Sequence, residues 1–155
     1  LDSISYGKML AIDDMVMCTE RDEYHYHEMI THPAMQAFES VAGIAKNILV
    51  IGGGDGGTIR ELCKYSGVEK ITMVEIDEAV VRASKLHLPN IASEFANPKL
   101  NLIIGDGIKH AAEVKSESYD LIVVDGSDPA GPAAVSGPAS GSAAARCPPR
   151  RGASR

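Results

Sequence analysis

Short apolar runs alternate with amphipathic segments along the middle of the chain. Four runs have the length and the apolar content of buried strands: NILVIG (47–52), KITMVEI (70–76), KLNLIIG (99–105) and YDLIVVDG (119–126). The segments that follow the first three runs, 57–66, 77–88 and 107–115, have apolar residues at helical spacing. Strands that alternate with helices in this way form parallel βαβ units. The pattern therefore predicts an α/β domain with a Rossmann-like, doubly wound parallel sheet.

The first forty residues have a different pattern. Segments 5–12 and 15–20 predict two short strands that are joined by a turn at Asp13 and Asp14. Residues 20–42 then predict a helix with acidic residues in its first turn. Pro33 lies inside this segment, and we expect it to kink or split the helix because proline has no backbone N–H to donate.

The composition changes near Pro132. Residues 133–155 are almost entirely Ala, Gly, Ser, Pro and Arg. Such a segment cannot bury enough apolar surface to offset the entropy lost on folding, so we expect it to be disordered. The chain is therefore predicted to have an amino-terminal β segment (1–21), an α/β domain (22–132) and a low-complexity tail (133–155).

Composition and charge narrow the possible partners. The chain has 155 residues, is 45% apolar and carries a net charge of −6. This balance argues against nucleic acid and anionic membranes, which bind basic surfaces. No apolar run approaches the roughly 18 residues of a membrane span, and the first ten residues lack the features of a signal peptide.

The cysteines and the first residue also carry information. The three cysteines, Cys18, Cys63 and Cys147, are far apart and form no CxxC pair. We therefore expect free thiols and a cytoplasmic location. The chain does not begin with methionine, and we expect it to start inside a longer reading frame.

A glycine-rich loop follows the first buried run. Gly52, Gly54 and Gly57 form the pattern G-x-G-x-x-G between a predicted strand and a predicted helix, where backbone can approach a bound cofactor closely. Acidic residues follow the later strands and should lie at the same edge of the sheet: Glu75, Asp106, Asp125 and Asp128. A carboxylate at the end of the second strand can bind the ribose hydroxyls, so the set predicts an adenosine-type ligand. The alternative is that these acids are helix caps and turn formers, as we expect for Asp77.

Asp55 lies inside the glycine loop and restricts the ligand further. Its carboxylate would repel a pyrophosphate, which argues against NAD, and would attract a positively charged amine. S-adenosylmethionine carries an amine and a sulfonium, but also a carboxylate that Asp55 would disfavour. The decarboxylated form has only the amine, so Asp55 favours it.

Six blocks of the sequence together resemble one enzyme family. They are YGKMLAID, TERDEYHYHEM, IGGGDGGTIREL, VEID, GDG and VVDGSDPAGPA, between about Tyr6 and Ala133. In these blocks the chain resembles the spermidine synthases, which are polyamine aminopropyltransferases. The resemblance implies a sheet like that of the S-adenosylmethionine-dependent methyltransferases. It also implies transfer of the aminopropyl group of decarboxylated S-adenosylmethionine to a diamine, with putrescine as the usual acceptor.

The resemblance also implies roles for individual residues. Asp55 would bind the aminopropyl amine, Glu75 the ribose hydroxyls, and Asp106 with Gly107 the adenine. Asp125 would accept a proton from the attacking diamine nitrogen, and Asp128 would orient that amine. Tyr26 and His27 would line the diamine side of the cleft. No metal or cofactor is expected, because the nucleoside is a co-substrate, and the family's dimers and tetramers imply a homo-oligomer.

The chain departs from the family at three places. Met17 occupies the position of a family glutamine, which puts substrate preference in doubt. Most of the family's amino-terminal β region has no counterpart, so residues 1–21 are expected to be its remnant. The family's segments beyond Ala133, which carry further diamine-binding residues, are replaced by the tail. We therefore expect the donor-binding half of an aminopropyltransferase, possessing little or no activity.

Three other functions stay open at this point. A methyltransferase that uses ordinary S-adenosylmethionine is opposed by Asp55 and by Val50, where methyltransferases tend to have an acid. A non-catalytic fragment that binds a nucleoside or a partner subunit fits the departures above, and a dehydrogenase is the weakest alternative.

His25, His27 and His32 lack the spacing of a familiar metal site. Five methionines are expected to fill the core: Met9, Met15, Met17, Met29 and Met35.

Overall fold

A small antiparallel sheet opens the chain in the computed structural model, which describes residues 1–126 and 145–146. Its strands are β1 (Asp2–Ser3), β2 (Gly7–Ile12) and β3 (Met15–Thr19). Asp13 and Asp14 join β2 to β3 with positive φ angles of 50° and 62°. Positive φ at both positions of a two-residue loop matches the right-handed twist of the strands. The predicted hairpin and its turn are therefore confirmed.

The first helix runs without interruption through its proline. Helix α1 (Glu23–Ala42) contains Pro33, so the predicted split at this residue is wrong, whereas the alternative, a kink, stays a prediction. The buried side chains of α1 are four residues apart and form one stripe: Glu23, His27, Thr31 and Met35. Thr31 and Met35 hold the turns on either side of Pro33 against the rest of the domain. Tertiary packing thus outweighs the lost backbone hydrogen bond.

A parallel sheet follows, with four strands that match the predicted runs. They are β4 (Asn47–Gly52), β5 (Lys70–Glu75), β6 (Leu100–Ile104) and β7 (Leu121–Asp125). The connecting helices are α2 (Gly57–Cys63), α3 (Glu78–His87), a 3-10 helix (Ser93–Ala96) that the pattern did not predict, and α4 (Gly107–Glu113). All four strands pair in parallel, in the order β6-β5-β4-β7. The predicted α/β class and doubly wound sheet are confirmed.

The order of the strands reverses at β4, and this determines where a ligand can bind. The chain moves outward from β4 to β5 and β6, then returns to place β7 on the other side of β4. Ligands of open α/β sheets bind at such a switch point, beyond the carboxyl ends of the strands. Gly52, the last residue of β4, is paired in register with Asp125, the last residue of β7. The glycine loop and a predicted site residue therefore meet there.

Part of the predicted tail enters the sheet. Strand β8 (Ala145–Arg146) pairs antiparallel with the beginning of β7, which the expectation of a disordered tail did not include. The rest of the tail lies outside the described residues, and so does Asp128. Among the described residues, no helix combines the length and apolar character needed to cross a bilayer.

The core lies between the sheet and its helices. Its fully buried side chains include Ile48, Leu62, Ile71 and Met73. Met35 also lies in this core, as predicted. Met29 and Met15 are instead 70% and 44% exposed, so the expectation that they fill the core is wrong. The short N-terminal strands and the outer face of α1 bury only part of their apolar residues.

Two methionines of α1 allow a matched test of this packing. We expect Met35→Ala to lower the free energy of unfolding by about 2–5 kcal/mol, because the side chain is completely buried and its loss leaves a cavity. Met29→Ala should change it by less than about 0.5 kcal/mol, because that side chain is largely exposed. Urea unfolding followed by circular dichroism measures both. Equal effects of the two substitutions would contradict this position of α1.

Candidate active site at the carboxyl edge of the sheet

The glycine loop joins β4 to α2 and lies against the end of β7. Gly52, Gly53 and Gly56 have φ angles of 86°, 80° and 91°, which side-chain-bearing residues rarely adopt. The Gly53 N–H donates to the carbonyl oxygen of Asp125 at 2.9 Å. The loop is therefore tied to the strand that carries Asp125.

Each of the three predicted glycines makes room for a different predicted site residue. A Cβ atom at Gly52 would lie 2.0 Å from the carbonyl oxygen of Asp125, which is a severe clash. A Cβ at Gly54 would lie 2.8 Å from a carboxylate oxygen of Glu75, and one at Gly57 would lie 2.2 Å from Nδ1 of His27. The glycines thus allow the backbone of Asp125 and the side chains of Glu75 and His27 to approach the loop. Their predicted contact with a ligand remains a prediction.

Asp55 is held inside the loop by several donors. Its Oδ1 accepts from the Gly57 N–H at 2.8 Å, and Nε2 of His27 lies 3.2 Å from each carboxylate oxygen. The Cys18 thiol adds a further hydrogen bond. Burial acts to raise the pKa of Asp55, but the hydrogen bonds and charge of His27 outweigh it and lower that pKa. Asp55 is therefore ionised at neutral pH.

His27 is almost completely buried, with 1% of its surface exposed, and contacts a carboxylate through each ring nitrogen. Nε2 contacts Asp55, and Nδ1 lies 2.6 Å from Oε2 of Glu23, one turn earlier on α1. Burial acts to lower the pKa of His27. The hydrogen bonds to Asp55 and Glu23 outweigh burial and raise the pKa to about 9. His27 is thus an imidazolium at neutral pH.

Glu23, which contacts Nδ1 of His27, and Arg60, which pairs with Glu23, were not predicted to be site residues. Arg60 of α2 donates from both terminal nitrogens to Glu23, at 2.8 Å and 2.9 Å, and from Nε to Glu61 at 3.0 Å. Glu23 is buried, whereas the sequence pattern indicated only an acidic residue in the first turn of the helix. The available signal was the spacing of Glu23 and His27, which are four residues apart and so share one helix face.

Asp125 lies at the end of β7 in a very different environment. Its Oδ2 accepts from the Thr58 hydroxyl at 2.6 Å, and Tyr26 also hydrogen-bonds its carboxylate. Burial and the nearby charge of Asp55 raise the pKa of Asp125, and the Thr58 hydrogen bond opposes them only in part. The structure therefore brings Asp125, Asp55, Tyr26 and His27 together, with the two carboxyl pKa values displaced in opposite directions.

The remaining predicted residues lie along the same edge of the sheet. Glu75 ends β5, is buried and accepts from the Asp77 N–H at 2.9 Å. Asp106 is exposed and caps α4, where it accepts from the N–H groups of Ile108 and Lys109 at 2.8 Å and 3.1 Å.

Two further predictions concern the start of α3 and α4. Gly107 is buried, and a Cβ there would lie 2.5 Å from the Ile51 side chain. Asp77 caps α3 as predicted, because its side chain accepts from the Ala79 N–H. The alternative assignment of the strand-end acids as helix caps thus describes Asp106 as well. A role of Asp106 in binding adenine remains a prediction.

The histidines do not share a common site. His27 is enclosed by carboxylates, His25 stacks on Tyr24, and His32 contacts Tyr65 and Glu61. Atoms of Glu28, His32 and Glu61 do lie within 4.8 Å of one another. Both oxygens of Glu61, however, already pair with side-chain cations: Lys64 Nζ at 2.5 Å and Arg60 Nε at 3.0 Å. These cations would compete with a metal ion, so the cluster gives no support to a metal centre.

Comparison with known proteins gives a consistent set of relatives. The family model described as "Spermine/spermidine synthase domain" matches residues 23–138. The chain is 48% identical over 133 residues to a polyamine aminopropyltransferase of Desulforudis audaxviator, which covers 86% of this chain and 46% of that protein. It is 46% identical over 131 residues to spermidine synthase 2 of Arabidopsis thaliana, covering 84% of this chain and 37% of that protein.

Solved structures agree with these sequences. A crystal structure of spermidine synthase in complex with the transition-state analogue AdoDATO matches with a TM-score of 0.77 and 36% identity, over 83% of this chain and 42% of that one. The spermidine synthase of Thermotoga maritima matches with a TM-score of 0.74 and 35% identity, over 80% of this chain and 42% of that one. The chain thus spans less than half the length of these relatives. On the family match, the sequence identity and the shared fold, it belongs to the spermine/spermidine synthase family.

Proposed function

We propose that this chain forms the donor-binding half of an aminopropyltransferase that acts on decarboxylated S-adenosylmethionine. The observation that carries the proposal is the pair of carboxyl groups at the switch point of the sheet. Asp55 is held ionised, whereas the pKa of Asp125 is raised. Two acids with opposite environments suit two roles, because one can bind a cation and the other can accept a proton.

Asp55 is the group that we propose for the aminopropyl amine of the donor. An ionised carboxylate attracts an ammonium ion and repels a carboxylate or a phosphate. Asp55 accepts from Gly57 and His27, and it lies in the loop that would otherwise cradle a pyrophosphate. This charge favours the decarboxylated donor over S-adenosylmethionine and over NAD. It is the main physical argument against a methyltransferase or a dehydrogenase.

Asp125 is the proposed proton acceptor. An alkyl ammonium has a pKa near 10, so the acceptor amine must lose a proton before it can attack. The amine nitrogen then forms a bond to the carbon next to sulfur, and the carbon–sulfur bond breaks. Its electron pair converts the sulfonium to the neutral thioether of methylthioadenosine, and the released proton passes to Asp125. A raised pKa makes Asp125 the better base for this step.

The other residues complete the proposed site. Glu75, beside Gly54, is assigned to the ribose hydroxyls, and the buried Gly107 with the exposed Asp106 to the adenine. Tyr26, which hydrogen-bonds Asp125, is assigned to the diamine side of the cleft.

The acceptor substrate, the assembly and the location are also proposed from the family resemblance. We propose putrescine as the acceptor, with Asp128 as a further contact, a homo-oligomer as the assembly and the cytoplasm as the location. The second candidate is a protein that binds the nucleoside without turnover. At most 46% of any of the relatives compared above is represented here.

The donor assignment can be tested with Asp55→Asn. We expect the full chain to bind decarboxylated S-adenosylmethionine more tightly than S-adenosylmethionine in a calorimetric titration. The substitution should weaken binding of the decarboxylated donor by about tenfold or more, since a hydrogen bond to a charged group contributes about 1.5–3 kcal/mol. Methylthioadenosine, which lacks the amine, should be affected much less.

Asp77→Asn is the matched control for this experiment. It also removes one carboxylate beside the sheet edge, but asparagine caps a helix as well as aspartate does. The affinity of the Asp77→Asn variant for the decarboxylated donor should equal that of the unsubstituted chain. Tighter binding of S-adenosylmethionine than of the decarboxylated donor would instead support a methyltransferase.

The role of Asp125 can be tested with Asp125→Asn. The amide cannot accept the proton, so we expect aminopropyl transfer to putrescine to slow by about 10²–10⁴-fold, the usual range for a general base. Donor binding should change far less than the rate. Product formation by mass spectrometry and calorimetry separate the two quantities. Donor binding without product from the unsubstituted chain would support the nucleoside-binding fragment.

Thr58→Val tests the environment of Asp125 through pH dependence. The Thr58 hydroxyl donates to the ionised carboxylate and so lowers the pKa of Asp125. Its removal should raise that pKa, and the acidic limb of the kcat/KM profile should move to higher pH. An unchanged limb, with transfer still measurable at its optimum, would show that another group controls the profile.

A further inference from the structure

We propose that Glu23 and Arg60 are positioning residues, which hold His27 as a doubly protonated imidazolium and thereby fix Asp55 as an ionised, correctly oriented carboxylate. The donor-binding role of Asp55 rests on the proposed function above. The protonation state of His27 does not, because it follows from the contacts among these four side chains.

The two ring contacts of His27 require two protons. Nδ1 lies 2.6 Å from Glu23, and Nε2 lies 3.2 Å from Asp55. A neutral imidazole has one N–H, so one of these carboxylates would face an unprotonated nitrogen and be repelled. With the ring 1% exposed, water cannot replace the missing donor. Only the imidazolium satisfies both carboxylates.

Arg60 provides the charge that makes this arrangement stable. Its guanidinium forms a two-pronged contact with Glu23, from Nη1 to Oε1 at 2.8 Å and from Nη2 to Oε2 at 2.9 Å, and Oε2 is also the oxygen that Nδ1 of His27 contacts. The row Arg60, Glu23, His27, Asp55 therefore alternates positive and negative charge and sums to zero. Glu23 is only 7% exposed, so without Arg60 its buried carboxylate would share a single cation with Asp55.

Gly57 fixes where the ring can lie. A Cβ at this position would be 2.2–2.5 Å from three atoms of the His27 ring, so only glycine leaves space for it. The Gly57 N–H also donates to Asp55 at 2.8 Å. Asp55 is thus held from the loop by a backbone donor and from α1 by the ring. Its orientation depends on the residues that hold the ring.

The other ionisable groups around His27 are consistent with this assignment. Asp125 of β7 adds a further favourable charge, and Cys18 of β3 hydrogen-bonds Asp55. Burial raises the pKa of the Cys18 thiol to about 12, so it donates as a neutral thiol. Within residues 1–126, the ionisable neighbours of the ring also include Glu23, Asp55, the more distant Arg60, and Tyr26, whose ring packs edge-on against it at 5.4 Å between centroids.

The first test measures the protonation of His27 directly. The full chain is labelled with ¹⁵N-histidine and titrated by NMR, without any ligand. We expect both His27 nitrogens to be protonated at pH 7.5, with a midpoint near 9. Glu23→Gln should lower the midpoint by about one to three pH units, because it removes one charged partner. His110 of α4, which contacts Tyr119, is the internal reference and should give the same signals in both proteins.

Two further variants separate this role from general damage. Glu69→Gln makes the same change at an exposed pair with Lys46, at the opposite edge of the sheet, and should leave the His27 midpoint unchanged. Arg60→Lys keeps the charge but cannot form the two-pronged contact, so its midpoint should lie between those of the unsubstituted chain and Glu23→Gln. Arg60→Lys also provides an informative variant if Glu23→Gln does not fold.

Stability against pH gives an independent measurement. The folded pKa of His27 is raised above its ordinary value of 6.5, so its contribution to stability is complete below pH 6.5. That contribution is lost as the pH rises through about 9. Urea midpoints should therefore fall between pH 6.5 and 9.5, and they should fall less in Glu23→Gln.

Ligand binding completes the test. Glu23→Gln should weaken the binding of decarboxylated S-adenosylmethionine by about tenfold and the binding of methylthioadenosine by less than about twofold, since only the former carries the amine. A single proton on His27 at pH 7.5 would overturn the proposal, and so would a midpoint that neither Glu23→Gln nor Arg60→Lys changes. An NMR result as expected, with no preference for the amine-bearing donor, would refute the proposed function alone.

Discussion

The contact between a buried histidine and two carboxylates connects helix α1 to the glycine loop. His27 extends from α1 to Glu23 on its own helix and to Asp55 in the glycine loop. A buried charge is costly unless partners of opposite charge surround it. Here Arg60 completes an alternating row, so four ionised groups can share a nearly dry interior. This row and the apolar packing of α1 together hold the helix over the loop.

The glycine loop follows from the same constraint. Such loops are usually interpreted through the ligand that they approach, but here three glycines are needed by the protein's own backbone and side chains. Gly57 faces the His27 ring, Gly54 faces Glu75, and Gly52 faces the carbonyl oxygen of Asp125. A single methyl group at any of them would displace a predicted site residue. Close packing of functional groups, and not ligand access alone, thus explains the composition of the loop.

The pairing of strands in the sheet causes the pKa values of Asp55 and Asp125 to differ. Parallel pairing puts Asp125 level with Gly52, so its carboxyl group is buried beside the loop that carries Asp55. Asp55 has the imidazolium as a positively charged partner, and its pKa is lowered. Asp125 accepts a hydrogen bond from the neutral Thr58 hydroxyl instead. Burial and the negative charge of Asp55 outweigh that hydrogen bond, so the pKa of Asp125 is raised. Two residues of one type thereby acquire complementary chemical properties.

The sequence by itself determined the strands, their parallel direction and the edge at which the acids collect, because these follow from local periodicity and from the geometry of βαβ units. The Asp13–Asp14 turn was equally local. Only the tertiary structure decided the continuity of α1 through Pro33, since buried neighbours hold both turns. It also decided the pairing of Glu23 with Arg60, which are 37 residues apart. Burial and opposing charge are properties of the folded interior, so no local pattern specifies them.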